Sequence, residues 1–157
     1  MDFKQPISVN GVPVSLQGHT HNFDTFPVLC VKSGKSSTQN YSANTTTKLT
    51  FDTLPFNTGL TVDLANERLV FPSVISGQGI FEIKVSLQLS GTSSMTIYVY
   101  KNGNLLETTY TTTTAMTEHT CMTMLQFAAN DYIEIFIRGG SARTIQTTTT
   151  SYIKQVA

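Results

Sequence analysis

From Phe26 onward, hydrophobic and polar residues alternate with a period of two. The clearest stretch is 80–90, where Phe81, Ile83, Val85, Leu87 and Leu89 share one face and Glu82, Lys84, Ser86 and Gln88 the other. Successive side chains of a β-strand point to opposite sides, so this pattern predicts a strand buried on one face and wet on the other. Residues 26–32, 48–56, 69–71, 95–101, 105–114, 118–127, 132–138 and 147–156 extend the series. Turn chemistry separates them. Pro72 stops one strand, Asn102-Gly103 predicts a tight hairpin, Ala129-Asn130-Asp131 a turn and Gly139-Gly140-Ser141 a loop. Residues 33–44 read as a polar loop, and no stretch places apolar residues at helical spacing. About eight to ten strands with regular turns predict an all-β sandwich.

The first residues follow a different pattern. In 1–22, Pro6, Gly11 and Pro13 interrupt Ile7, Val9, Val12, Val14 and Leu16, and Asn10-Gly11 is a turn signal. This segment reads as an extended lead-in that buries its apolar side chains only against other chains or a larger body. The chain therefore divides into a lead-in, 1–22, and a knob domain, 23–157.

Composition narrows the function classes. Charged residues are 13% of the 157, with a formal net charge of zero, so no basic stripe is available to neutralise phosphates and nucleic acid is not an expected partner. Threonine runs at 45–47, 111–114 and 147–150 suit strands whose outer faces are wet but uncharged. Such a surface fits an extracellular or virion protein better than a cytosolic enzyme. No apolar run reaches the ~18 residues of a membrane span. The first residues lack a signal-peptide pattern, so release by lysis or within a particle is expected. Cys30 and Cys121 do not make a disulfide framework and read as buried thiols. His119 and Cys121 share a face with Leu125 and Phe127, which points to the core. Acidic residues fall mostly at turns or on wet strand faces, and no paired carboxylates, nucleophile elbow, metalloprotease helix or phosphate loop is present. Catalysis is not expected.

The order of short motifs carries a resemblance. Lys48-Leu49-Thr50-Phe51-Asp52-Thr53, Asn57-Thr58-Gly59 and Leu69-Val70-Phe71-Pro72 precede Gly77-Gln78-Gly79-Ile80-Phe81; Val99-Tyr100-Lys101-Asn102-Gly103 and Leu125-Gln126-Phe127-Ala128-Ala129-Asn130-Asp131 follow. Over 26–157 this resembles the globular head of complement's collagen-like first component and its tumour-necrosis-factor relatives. Ile80 stands where that family usually has Tyr, and Asn130 where it has Gly before the Asp. The resemblance implies a jelly roll of about ten antiparallel strands assembled as a homotrimer, with one sheet of each protomer facing the threefold axis. On that reading Met122, Met124 and Tyr152 pack across the trimer; the alternative is that they fill the protomer core.

Gly18-His19-Thr20-His21 resembles the shaft segments of bacteriophage fibres, in which histidines of three intertwined chains hold an axial iron ion. In an extended chain His19 and His21 point to the same side, and three chains supply six imidazoles. That octahedral nitrogen cage suits Fe(II) or Ni(II) better than tetrahedral zinc, and its role would be structural. The alternative is two solvated histidines in a linker.

The expected function is that of a bacteriophage virion protein: a trimeric fibre or knob attached by its N-terminal segment to tail, baseplate or capsid proteins. It is assembled in the host cytoplasm and adheres to a host cell-surface glycan or protein. The alternative is a head fibre or decoration protein. Recognition residues are expected in loops 33–44, 91–94 and 139–143, with Tyr41 and Arg143 as the polar-aromatic candidates.

Overall fold

The computed structural model describes residues 8–9, 12–13, 29–63, 65–71 and 79–156. Among them there is no helix. The strands are β1 (Ser8–Val9), β2 (Val12–Pro13), β3 (Cys30–Gly34), β4 (Gln39–Tyr41), β5 (Thr47–Lys48), β6 (Thr53–Thr58) and β7 (Thr61–Asp63). They continue as β8 (Arg68–Val70), β9 (Gly79–Lys101), β10 (Asn104–Phe127), β11 (Tyr132–Gly139), β12 (Arg143–Ile145) and β13 (Thr150–Gln155). β1 and β2 form an antiparallel pair, Ser8 opposite Pro13 and Val9 opposite Val12.

The alternation in 80–90 does what it predicts: Phe81, Ile83, Val85, Leu87 and Leu89 are each 3% exposed or less. It continues in phase through Met95, Ile97 and Val99, so the two expected strands 80–90 and 95–101 are one strand, β9. Residues 91–94, expected as a loop, lie within it. Their partner strand takes up the bend instead. β10 shifts register between Thr112 and Met116 and again between Met116 and Glu118, and such bulges sharpen local twist.

The bend divides β9 and β10 between two layers. In the first, the order is β6-β3-β13-β9, with the C-terminal half of β10 on the far side of β9. In the second, β10's N-terminal half, β9 and β11 run side by side, with β8 and β5 pairing the other edge of β11 and β7 pairing β8. Side chains from both layers meet in one apolar cluster that includes Val31, Phe81, Ile153, Ile97 and Ile135. At one end Phe71 stacks on Phe127 with centroids 4.1 Å apart, and Phe81 meets Phe71 edge-on at 4.6 Å. Truncating any of the three to Ala costs about 3–5 kcal/mol on the usual scale for buried aromatics.

Two turns lock together at the same end. Asn102 and Gly103 take φ of 52° and 78°, the left-handed pair that a two-residue hairpin requires. Asn130 takes φ 64°, a conformation that Asn tolerates, so Asn fills the place where the family resemblance expects Gly. Asp131 then accepts from the Ala128 N–H and Asn102 Nδ2, both at 2.7 Å, and pairs with Lys101 Nζ at 2.6 Å.

Three expectations change. The polar loop 33–44 contains the end of β3 and all of β4. Strand 147–156 begins at Thr150, because 146–149 form a turn closed by Thr149 N–H to Gln146 O at 3.1 Å. β4 and β12 pair with each other, Arg143 opposite Tyr41, across about a hundred residues of sequence; neither has enough alternation to be visible alone.

Candidate functional site

The outward face of the first layer is read row by row from the ladder. One row runs Phe56, Lys32, Tyr152, Lys84, Met122; the next runs Thr58, Cys30, Lys154, Glu82, Met124. Strand geometry puts these side chains opposite the core, because their neighbours Val31, Ile83, Cys121 and Ile153 are buried. Met122 and Met124 are 60% and 63% exposed, and Phe56, Ile80 and Val156 are also exposed on this face. Tyr152 is half-buried, and a hydrogen bond with the buried Cys30 thiol leads the effects that raise its phenol pKa. Met122, Met124 and Tyr152 thus share one face, with Lys84 between Met122 and Tyr152. They do not fill the protomer core. A depression of about 400 Å³ lies over Lys32, Glu82, Lys84, Ser86, Thr150 and Tyr152.

The two recognition candidates lie elsewhere and do different work. Tyr41, expected on an exposed loop, is 5% exposed, its ring tucked against Gly139. A Cβ at Gly139 would sit 2.5 Å from that ring, so the glycine makes the room that buries the tyrosine. Tyr41 is therefore not available to a partner. Arg143 donates from Nε to Thr92 O at 3.0 Å and from Nη1 to Ala142 O at 2.8 Å. Its Nε staples β12 to the bend of β9, and the side chain stays half-exposed. His19 and His21 lie outside the described residues. No group of three or more His, Cys, Asp or Glu side chains able to hold a metal occurs among the described residues.

Sequence reasoning missed Glu134. Placed with Tyr132 and Phe136 on what reads as a wet face, it is nonetheless 7% exposed. Lys48 of β5 reaches it at 2.8 Å and Arg68 of β8 at 3.1 Å, while the Arg68 guanidinium lies 4.3 Å from the Tyr132 ring centroid. Burial alone would push the carboxyl up; the hydrogen bonds from Lys48 and Arg68 outweigh it and hold Glu134 below the usual carboxylate range. The only signal in the sequence was the two cations, on strands too short to place by periodicity.

The remaining buried titratable groups read as structural. His119 accepts from Tyr110 through Nδ1 at 3.3 Å and donates from Nε2 to Met116 O at 3.1 Å, which assigns the neutral Nε2–H tautomer. Burial lowers its pKa. The Cys121 thiol is pushed up to about 11 by burial, so it is inert at neutral pH. Cys30 and Cys121 are both free and buried.

No family model matches the sequence, and no curated protein matches it. Solved structures do. Eiger TNF from S. frugiperda is 14% identical over 83% of this chain and 94% of that one, with a TM-score of 0.52. Murine APRIL is 12% identical over 82% and 99%, with a TM-score of 0.53. Rabbit GITRL is 15% identical over 82% and 94%, at 0.50. At such identities the likeness is one of fold: this chain has an antiparallel jelly roll of the tumour-necrosis-factor type.

Proposed function

We propose that this chain is the knob of a homotrimeric bacteriophage fibre, held to the particle by residues 1–22 and bringing the virion to a host surface. The observation that carries the reading is the group of exposed apolar side chains on one sheet face, Met122, Met124, Ile80, Phe56 and Val156. These side chains share the face with Lys32, Lys84, Lys154 and Glu82, a mixed apolar and charged surface of the kind that another chain covers, and methionine is enriched at interfaces. Three copies meeting through this face bury it and present three outer sheets around the axis, so weak surface contacts gain avidity. On the same reading, His19 and His21 of three chains hold one Fe(II) on the axis above the knob.

The test uses phage particles that carry this chain, labelled at its C-terminus for electron microscopy, together with adsorption to host cells. The label is expected at the particle surface, and excess purified chain is expected to slow adsorption. Surface label without competition would favour a head fibre or decoration protein. No label on particles would overturn the virion role.

A further inference from the structure

The outward face of the second layer carries a groove of about 310 Å³, formed where β9, β10 and β11 run side by side at the bend. Its rows follow from the ladder: Arg138, Thr96 and Thr111 lie abreast, and Phe136 lies beside Tyr98 in the next. Tyr98 is the aromatic residue of the lining, and Tyr100 and Phe136 pack against each other beyond it, their ring centroids 4.5 Å apart.

The lining is chemically one-sided. Among the described residues that line it, Arg138 is the one charged side chain and none is a carboxylate. Arg138 is exposed and, among the described residues, has no hydrogen-bond or ion-pair partner. The other polar groups are hydroxyls and the Asn44 amide, and Tyr98 supplies a half-buried ring. A free guanidinium matches a carboxylate with two parallel donors. An aromatic ring takes the apolar C–H face of a sugar, and hydroxyls and amides meet its own hydroxyls.

The groove is also built in advance. Asn44 N–H donates to Gly139 O at 2.8 Å, and Gly140 N–H donates to Ser94 O at 3.1 Å, tying the wall to both neighbouring segments. Buried Tyr41 lies directly beneath Gly139. Its volume is at the lower end of the ~300–1,000 Å³ usual for small-molecule sites, which suits a terminal sugar and not a long chain.

We propose that this groove binds a carboxylate-bearing pyranose at the end of a cell-surface glycan. Arg138 takes the carboxylate, Tyr98 the face of the ring, and Thr96, Thr111 and Asn44 the hydroxyls. The biological role of this site rests on the attachment reading above; its geometry does not, since every lining residue comes from one protomer.

The experiment titrates the full chain with sialyllactose, with a glucuronate-terminated disaccharide and with lactose as the neutral control, by calorimetry and ligand-observed NMR. At least one acidic probe is expected to bind with Kd near ~1 mM, and lactose at least about tenfold more weakly. The two acidic arms distinguish a sialic acid from a uronic acid. Arg138→Gln is expected to erase the preference, Tyr98→Phe to retain binding and Tyr98→Ala to abolish it. Arg138 is exposed, so its variant reports on binding even if Tyr98→Ala fails to fold. Failure of both acidic probes to bind at about twenty times that concentration, or equal binding by wild type and Arg138→Gln, overturns the proposal. A monomer that binds an acidic probe keeps the groove and removes the assembly; a trimer that binds neither does the reverse.

Discussion

Replacing Met122 and Met124 together by Lys separates assembly from folding. Both side chains are already 60% or more exposed in the protomer, so their removal leaves the core untouched. Protomer stability is expected to change by no more than about 0.5 kcal/mol, the usual range for surface substitutions. In the proposed trimer the same side chains are covered. Fully burying a methionine is worth ~1.5–3 kcal/mol, so covering the exposed 60% yields about 1–2 kcal/mol each. Six such side chains per trimer make roughly 6–12 kcal/mol. Since 1.4 kcal/mol is tenfold, the three-body constant falls by about four to nine decades. The half-assembly concentration, which scales as its square root, rises by about two to four. Sedimentation velocity across a dilution series reads this directly, with circular dichroism and a urea melt reporting on the protomer. A variant that assembles over the same range as wild type refutes the assignment of this face. One that loses its strands refutes the claim that these residues lie outside the core.

Three further outcomes follow from individual groups. Glu134→Ala strands Lys48 and Arg68 beside a half-dry site and is expected to cost roughly 1–3 kcal/mol in urea unfolding, moderated because both cations still reach water; a change under about 0.5 kcal/mol contradicts the network. Burial lowers the folded-state pKa of His119, so the stability it contributes is complete above the unfolded value near 6.5 and is lost as pH falls toward the folded one. Between pH 7.5 and 5.5 the unfolding free energy should fall, by at most ~1.4 kcal/mol per pH unit, and His119→Gln should flatten the slope; an identical slope in the variant assigns it elsewhere. Elemental analysis of the assembled chain is expected to find about one iron per three chains, lost together with thermal stability of the assembly in His19→Ala/His21→Ala. Unchanged melting and metal content in that variant mean the histidines are idle.

What the sequence reveals is local, and what it hides is paired at a distance. Phe81 to Leu89 announce their strand because each buried side chain has a polar neighbour on either side, and Asn102-Gly103 announces its hairpin because few other residues adopt that backbone. The exposure of Met122 and Met124 follows from the same alternation. By contrast, Gly91 to Ser94 have loop composition yet sit inside β9, since bulges on the partner strand absorb the irregularity. Tyr41 resembles a recognition residue until Gly139, almost a hundred positions later, is seen to leave a space of its shape. Glu134 looks solvated until two short strands bring cations over it. The groove over Tyr98 and Arg138 gave no sign in the sequence, because its walls come from three strands and a turn that only the bend assembles.

The central claim is that copies of this chain associate through the methionine-bearing sheet face into a closed threefold particle. The most direct measurement is the mass of the full-length chain at micromolar concentration by light scattering coupled to size-exclusion chromatography. Three copies of a 17.2 kDa chain give ~52 kDa, the predicted result. A single well-behaved species of 17.2 kDa across that range contradicts it.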